Sequence, residues 1–271
     1  MSISLSQLSR PGARALALTI CGEGGVGKTS LASLLPKPVF IRAEDGLTPD
    51  MDVQAFPIAR TIYDVFESLK ALYVEPHDFG TAVMDSVTQL NIMIENQVMR
   101  EDRNNPSSIN QACGGYGAGH AAVSEKHRQV RAMCDKLMRD RNMHVVFLAH
   151  ANTEKVEPPD QDPYTRYSIR MNPRSISHYS DNVDLVGFLK LETYVTGDGE
   201  RKQASTTGNR ILTAYPTPNH ISKNRLGITS DLIFEPGVNP LAPYLPDLSA
   251  LRSPAPAQDE DHPQPEITTE E

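Results

Sequence analysis

Short runs of β-branched and apolar residues alternate along the chain with segments of helical period, a pattern that predicts a mostly parallel sheet covered by helices. Ala15 to Cys21, Val39 to Ile41, Thr81 to Met84 and His144 to Ala149 read as buried strands. Ile62, Val65, Phe66, Leu69 and Tyr73 follow Thr61 at helical spacing, and Asp64 stands where a capping box needs an acid. Val87, Leu90, Ile94 and Val98 mark a second helix, which should end before Asn104-Asn105-Pro106. Val123, Val130, Met133 and Leu137 mark a third, running to about Arg141. Residues 151–180 follow neither period and are expected to form a long irregular connection. Past residue 182 the pattern becomes extended: Val183 to Val195, a Gly197-Asp198-Gly199 turn, then Arg210 to Tyr215. These segments predict antiparallel strands added at one edge near the C-terminus. There is no internal repeat.

With 271 residues and 39% hydrophobic content, the chain can bury a substantial core, which excludes disorder throughout. The net charge of -8 is uneven: residues 248–271 hold six acids, one base and four prolines. Without them, residues 1–247 carry 25 basic and 28 acidic residues, so the body is nearly neutral and neither announces nor excludes nucleic acid. The expected organisation is an N-terminal extension over 1–12, one domain over 13–247 and an acidic tail over 248–271 too polar to order itself. Three cysteines without a CxxC pair argue for reduced thiols. No apolar run approaches the ~20 residues of a membrane helix, so no membrane partner and a cytoplasmic location are expected.

The chemistry concentrates in Gly22-Glu23-Gly24-Gly25-Val26-Gly27-Lys28-Thr29, which fits GxxxxGK[ST] between a strand and the helix-compatible Ser30 to Leu35. Glycines let the backbone curl so that N–H groups from Gly22 through Ser30 point at phosphate oxygens. Lys28 reaches the β- and γ-phosphates of ATP, and the Thr29 hydroxyl ligates Mg²⁺. A second carboxylate must hold the magnesium, and Asp85 closes the buried run Thr81 to Met84 where such a group belongs. Asp85 would serve equally as the N-cap of the helix that follows. Glu44 ends the strand after the P-loop helix, a place that faces the γ-phosphate across the carboxyl edge of the sheet and suits a water-activating base.

At these residues the chain resembles the RecA-like ATPases, in which a glutamate in a strand-end Asp-x-Glu-Gly-like context is the catalytic base. Arg42 replaces the first acid of that context here, and the glutamate is retained. Leu35-Pro36-Lys37-Pro38-Val39 is similar to the segment after the compact P-loop helix in short RecA-like proteins of bacteriophages, including the Sak-type single-strand annealing ATPases. Over residues 13–236 the resemblance implies a RecA-like core, ATP hydrolysis and single-stranded DNA as partner, in phage recombination, annealing or replication. It also implies a γ-phosphate sensor at His150. Lys223-Asn224-Arg225 is similar to the Lys-x-Arg segment that hexameric helicases and RadA-like recombinases insert into a neighbouring subunit's ATP site, so a homo-oligomer with Lys223 and Arg225 acting in trans is implied.

Tyr164, Arg166, Tyr167, Arg170 and Arg174 supply arginine for phosphate and tyrosine for base stacking, with no acid from 164 to 178. The glycine-rich loop from Gly114 to Gly119 is a second DNA candidate. The acidic tail is expected to compete with DNA for those arginines, to dock a replication or single-strand-binding protein, or simply to solubilise. Three other classes compete with the reading, and one of them, a non-hydrolysing nucleotide switch, is opposed by Glu44. Partition ATPases of the ParA and MinD type depend on a lysine where this chain has Glu23, and a small-molecule kinase needs an acceptor motif to accompany Arg166, Arg170 and Arg174. Cys113, His120, His127 and Cys134 recur every seven residues. On one helix they would span about 31 Å, too far for a metal, and are expected to be packing positions and surface histidines.

Overall fold

The computed structural model describes residues 4, 12–196 and 203–251. In chain order the elements are β1 (Ala17–Gly22), α1 (Lys28–Ala32), β2 (Pro38–Arg42), β3 (Gln54–Ala55), α2 (Ile62–Val74), β4 (Thr81–Asp85) and α3 (Val87–Glu101). They continue with α4 (Ala118–Asp140), β5 (His144–Val156), β6 (Tyr164–Ile169), α5 (Pro173–Ser180), β7 (Leu185–Thr196), β8 (Gln203–Thr213), β9 (Lys223–Asn224) and β10 (Leu232–Phe234). The strands form one sheet in the order β10-β8-β7-β1-β5-β4-β2-β3, with β6 paired to β5 and β9 to β7. Pairing is parallel from β7 through β1, β5, β4 and β2 to β3. β8, β9 and β10 are antiparallel, as the extended pattern past residue 182 predicts.

Successive strand side chains point to opposite faces, and the central strands are apolar on both. Leu18 and Ile20 of β1 pack with Val146 and Leu148 of β5 and with Leu31 and Ala32 of α1 on one face. Cys21, Val145 and Phe147 face the other way, onto Val65 and Leu69 of α2, Leu90 and Ile94 of α3, and Val130 and Leu137 of α4. The capping box of α2 is closed: the Asp64 amide donates to Thr61 Oγ1 at 3.4 Å and the Thr61 amide to Asp64 Oδ2 at 2.9 Å. Such a cap contributes about 1 kcal/mol. Among the described residues no helix is long and apolar enough to cross a membrane.

Three expectations change. Residues 151–180 are not an irregular connection: β5 runs on past the core and pairs with β6 from Ala151↔Ile169 to Val156↔Tyr164, after which Asn172 caps α5. Ile169 and Tyr167 pack against the core at the base of the arm, but its outer part is held by backbone pairing and left little hydrophobic period to read. His127 is not a surface histidine but fully buried, with Nδ1 2.7 Å from the Tyr179 hydroxyl and Nε2 3.1 Å from Asn91 Oδ1. The cap of α3 is Ser86, whose hydroxyl accepts from the Gln89 amide at 3.3 Å, which leaves the Asp85 carboxylate for other work. The Gly197-Asp198-Gly199 turn, most of the 1–12 extension and residues 252–271 of the tail lie outside the described residues. Leu248 is only 1% exposed, so packing continues past residue 247.

Candidate functional site

The glycine loop follows β1 at the carboxyl edge of the sheet, where Gly22 lies level with His150 of β5 and Leu189 of β7. A Cβ on Gly22 would stand 2.4 Å from the Leu189 carbonyl oxygen, so only glycine lets β1 run this close to β7. Gly27 has φ +100°, a left-handed conformation that turns the loop into α1. Lys28 is 6% exposed and its Nζ donates to the Gly22 and Glu23 carbonyls at 3.1 and 2.8 Å. Burial holds its pKa below the usual lysine range.

Residues from the end of β4, from just beyond β2 and from the middle of β5 share one cavity with the lysine. Thr29 Oγ1 donates to Asp85 Oδ2 at 2.9 Å, and Asp85, at the end of β4, is 4% exposed. Burial raises the Asp85 carboxyl above the usual range. A hydroxyl and a buried carboxylate in contact are hard oxygen donors of the kind Mg²⁺ takes, and a divalent charge there would reverse the penalty of burying the carboxylate. Thr29 and Asp85 therefore fit that ion. Beyond β2, the Ala43 and Glu44 amides both donate to the Asp85 carbonyl, at 2.7 and 3.3 Å, which fixes the Glu44 backbone over β4. His150 Nε2 lies 3.1 Å from Glu44 Oε1, so the carboxylate keeps the ring proton on Nε2. That hydrogen bond is the main reason the Glu44 carboxyl lies below the usual glutamate range.

Gly25, Lys28, Thr29, Glu44, Asp85 and His150 line one cavity of about 360 Å³. Thr48 and Met51 also line it, and nothing in the sequence pattern marked them. A more open groove of about 650 Å³ lies between the β5–β6 arm, α5 and Lys223, and Arg166 on its rim is already paired with Glu154 at 2.7 Å. The smaller cavity, with its converging lysine, hydroxyl and carboxylates, is the chemically organised one.

Lys223 and Arg225 are not part of that cavity. β9 pairs with the beginning of β7, at Leu185 and Val186, which lie beside Leu18 and Thr19. Both residues therefore sit toward the amino edge of the sheet, where Lys223 Nζ donates to the Asp181 carbonyl and Arg225 Nη1 lies 3.5 Å from Asp184 Oδ1. Of the residues read as DNA contacts, the ring of Tyr167 stacks on Phe188 at 4.8 Å and is committed to the core, and Tyr164 starts β6. Arg170 is exposed, and its amide donates to the His150 carbonyl at 2.9 Å. Arg174 Nη1 donates to the Gly117 carbonyl at 2.7 Å, which brings α5 against the Gly114–Gly119 loop with its fully exposed Tyr116. The two candidate DNA segments, separate in sequence, are thus adjacent.

A phosphate-cradling loop between a central parallel strand and a helix, opposite a buried carboxylate two strands away, defines a P-loop nucleotide-binding protein. The AAA domain family matches residues 14–226, and the chain belongs to that family. No curated protein matches it. Family and site together give nucleotide binding as the shared property.

Proposed function

We propose that this protein hydrolyses ATP and couples the reaction to single-stranded DNA, in a setting of phage recombination, annealing or replication. The observation that supports the reading is Glu44, an ionised carboxylate held by His150 within the cavity that also holds Lys28, Thr29 and Asp85. Lys28 binds the β- and γ-phosphates, and Thr29 and Asp85 hold Mg²⁺. The ion, when bound, neutralises charge on the phosphate oxygens. Glu44 orients a water and accepts its proton as the water oxygen bonds to the γ-phosphorus and the bond to ADP breaks. His150 fixes the carboxylate. Electrostatic contacts that strengthen as charge develops on the phosphoryl group supply most of the acceleration.

The DNA assignment is supported by the exposed Tyr116 and Arg170, with Arg174, on a surface that begins at His150. Phosphate release by the full chain, with and without single-stranded oligonucleotide, tests both halves, with Lys28→Ala as the control. The expected result is nucleotide-dependent turnover that Lys28→Ala abolishes, and salt-sensitive oligonucleotide binding by fluorescence anisotropy. Turnover without such binding in any nucleotide state would remove DNA from the proposal.

A further inference from the structure

Arg210 approaches the phosphate loop from the flank opposite Glu44, Asp85 and His150. It stands on β8, paired across the sheet with Leu191 of β7 on one side and Phe234 of β10 on the other. Because Gly22 lies level with Leu189, this row of three is just beyond the end of β1, beside the loop. Arg210 Nη1, Cζ and Nε lie 3.0, 3.1 and 3.2 Å from where a Cβ on Gly27 would be. Three nearly equal distances mean that the guanidinium lies face-on over Gly27. Phe234 supports it from β10, with Cζ 5.7 Å from the ring centroid.

A guanidinium carries five N–H donors and no acceptor. Among the described residues the Arg210 side chain has no ion pair and no hydrogen bond, and it lies at Gly27, the residue before Lys28. A guanidinium without a partner beside a phosphate-cradling loop gains a counter-charge when an anion enters that loop. With one face turned to Gly27, what the side chain offers a ligand is its edge, the geometry that suits phosphate oxygens rather than a stacked base.

We propose that Arg210 is a phosphate-binding residue of this site. It acts within its own chain, on the α- and β-phosphates that ATP and ADP share, while Lys28, Glu44 and His150 lie toward the terminal phosphate. The inference rests on the nucleotide-binding reading of the cavity. It is tested by competition of ATP, ADP and inorganic pyrophosphate against a fluorescent nucleotide, for the wild-type chain and for Arg210→Ala, Arg210→Lys and Lys28→Ala. Arg210→Ala should weaken all three by about tenfold or more, the scale of one charge-assisted hydrogen bond. Arg210→Lys should recover part of the loss, and melting without nucleotide should change little. Wild-type affinities in Arg210→Ala, beside loss of binding in Lys28→Ala, would overturn the assignment and leave the site standing. Weakening of ATP alone would also overturn it, because the contact would then be to the γ-phosphate. A wild-type chain that binds none of the three ligands would refute the nucleotide site itself.

Discussion

Replacing Glu44 by Gln should separate the proposed hydrolysis from nucleotide binding in this site. The amide keeps the size of the carboxylate and can still accept from His150 Nε2, 3.1 Å away, but it cannot take a proton from water. Loss of a positioned base costs between about 10²- and 10⁴-fold in rate. The structure favours the lower end. The His150 hydrogen bond holds the Glu44 carboxyl below the usual range, and a weaker base gains less from proton transfer, so its contribution is mainly orientation. A loss of roughly 10²-fold, or about 3 kcal/mol of barrier, is expected in single-turnover phosphate release at saturating ATP. ATP affinity, measured in parallel by displacement of a fluorescent analogue, should change less than about twofold, since no phosphate contact is removed. The sign of the pH dependence follows from the same bond. A carboxylate of depressed pKa remains charged as pH falls, so the wild-type rate should not decline on account of Glu44 until well below about pH 5. Hydrolysis by Glu44→Gln at the wild-type rate would refute the assignment. Equal losses of binding and turnover would refute the separation.

Two further outcomes are expected. If Lys223 and Arg225 act on a neighbour's nucleotide, mixing Arg225→Ala chains with Lys28→Ala chains should restore part of the ATPase activity that each lacks alone, and no recovery would remove the trans role. His127, buried and neutral, has a pKa lowered to about 3 by desolvation, against about 6.5 when unfolded. Between those values the unfolded chain binds the extra proton, so stability falls as pH falls, by roughly 2 kcal/mol from pH 7 to pH 5. Urea titrations should show a smaller acid loss in His127→Leu, and equal losses would exclude this histidine as the cause.

The P-loop, Asp85 and Glu44 were legible because each follows a contiguous apolar run, and the end of a buried strand fixes where the next residue lies. The same logic located His150. Where structure is held by backbone pairing, the sequence carries less. Asn152, Thr153, Glu154 and Lys155 have no apolar face, yet they pair with β6 to make the arm. Lys223 and Arg225 matched a short basic pattern, but only the pairing of β9 with the start of β7 locates them at the far edge. Asp184 explains why a base there is tolerated: burial would raise its carboxyl, but hydrogen bonds from Arg14, Ala17 and Arg225 outweigh this and hold it low. Arg210 illustrates the harder case. One basic residue before the apolar Ile211 and Leu212 gives no period, and its contact with Gly27 exists only after β7 and β8 have added to β1.

His150 occupies the point where β5 changes character. From Val145 to Ala149 every side chain is buried and packed, the strand is paired with β1 throughout and with β4 as far as Leu148, and interiors of this density resist displacement. From Asn152 onward the side chains are largely exposed, and the strand has one partner, β6. The His150 amide is tied to Thr88 Oγ1 on α3 at 3.0 Å, its ring to Glu44, and its carbonyl to Arg170. A change in what Glu44 contacts therefore reaches a residue with a rigid side and a compliant side. Strain applied there is relieved where fewer contacts break, which is in the arm and at Arg170 rather than in the sheet. On the proposed function, the strand that positions the candidate sensor would also link the γ-phosphate to the surface proposed to hold DNA. Such coupling would need no motion of the core.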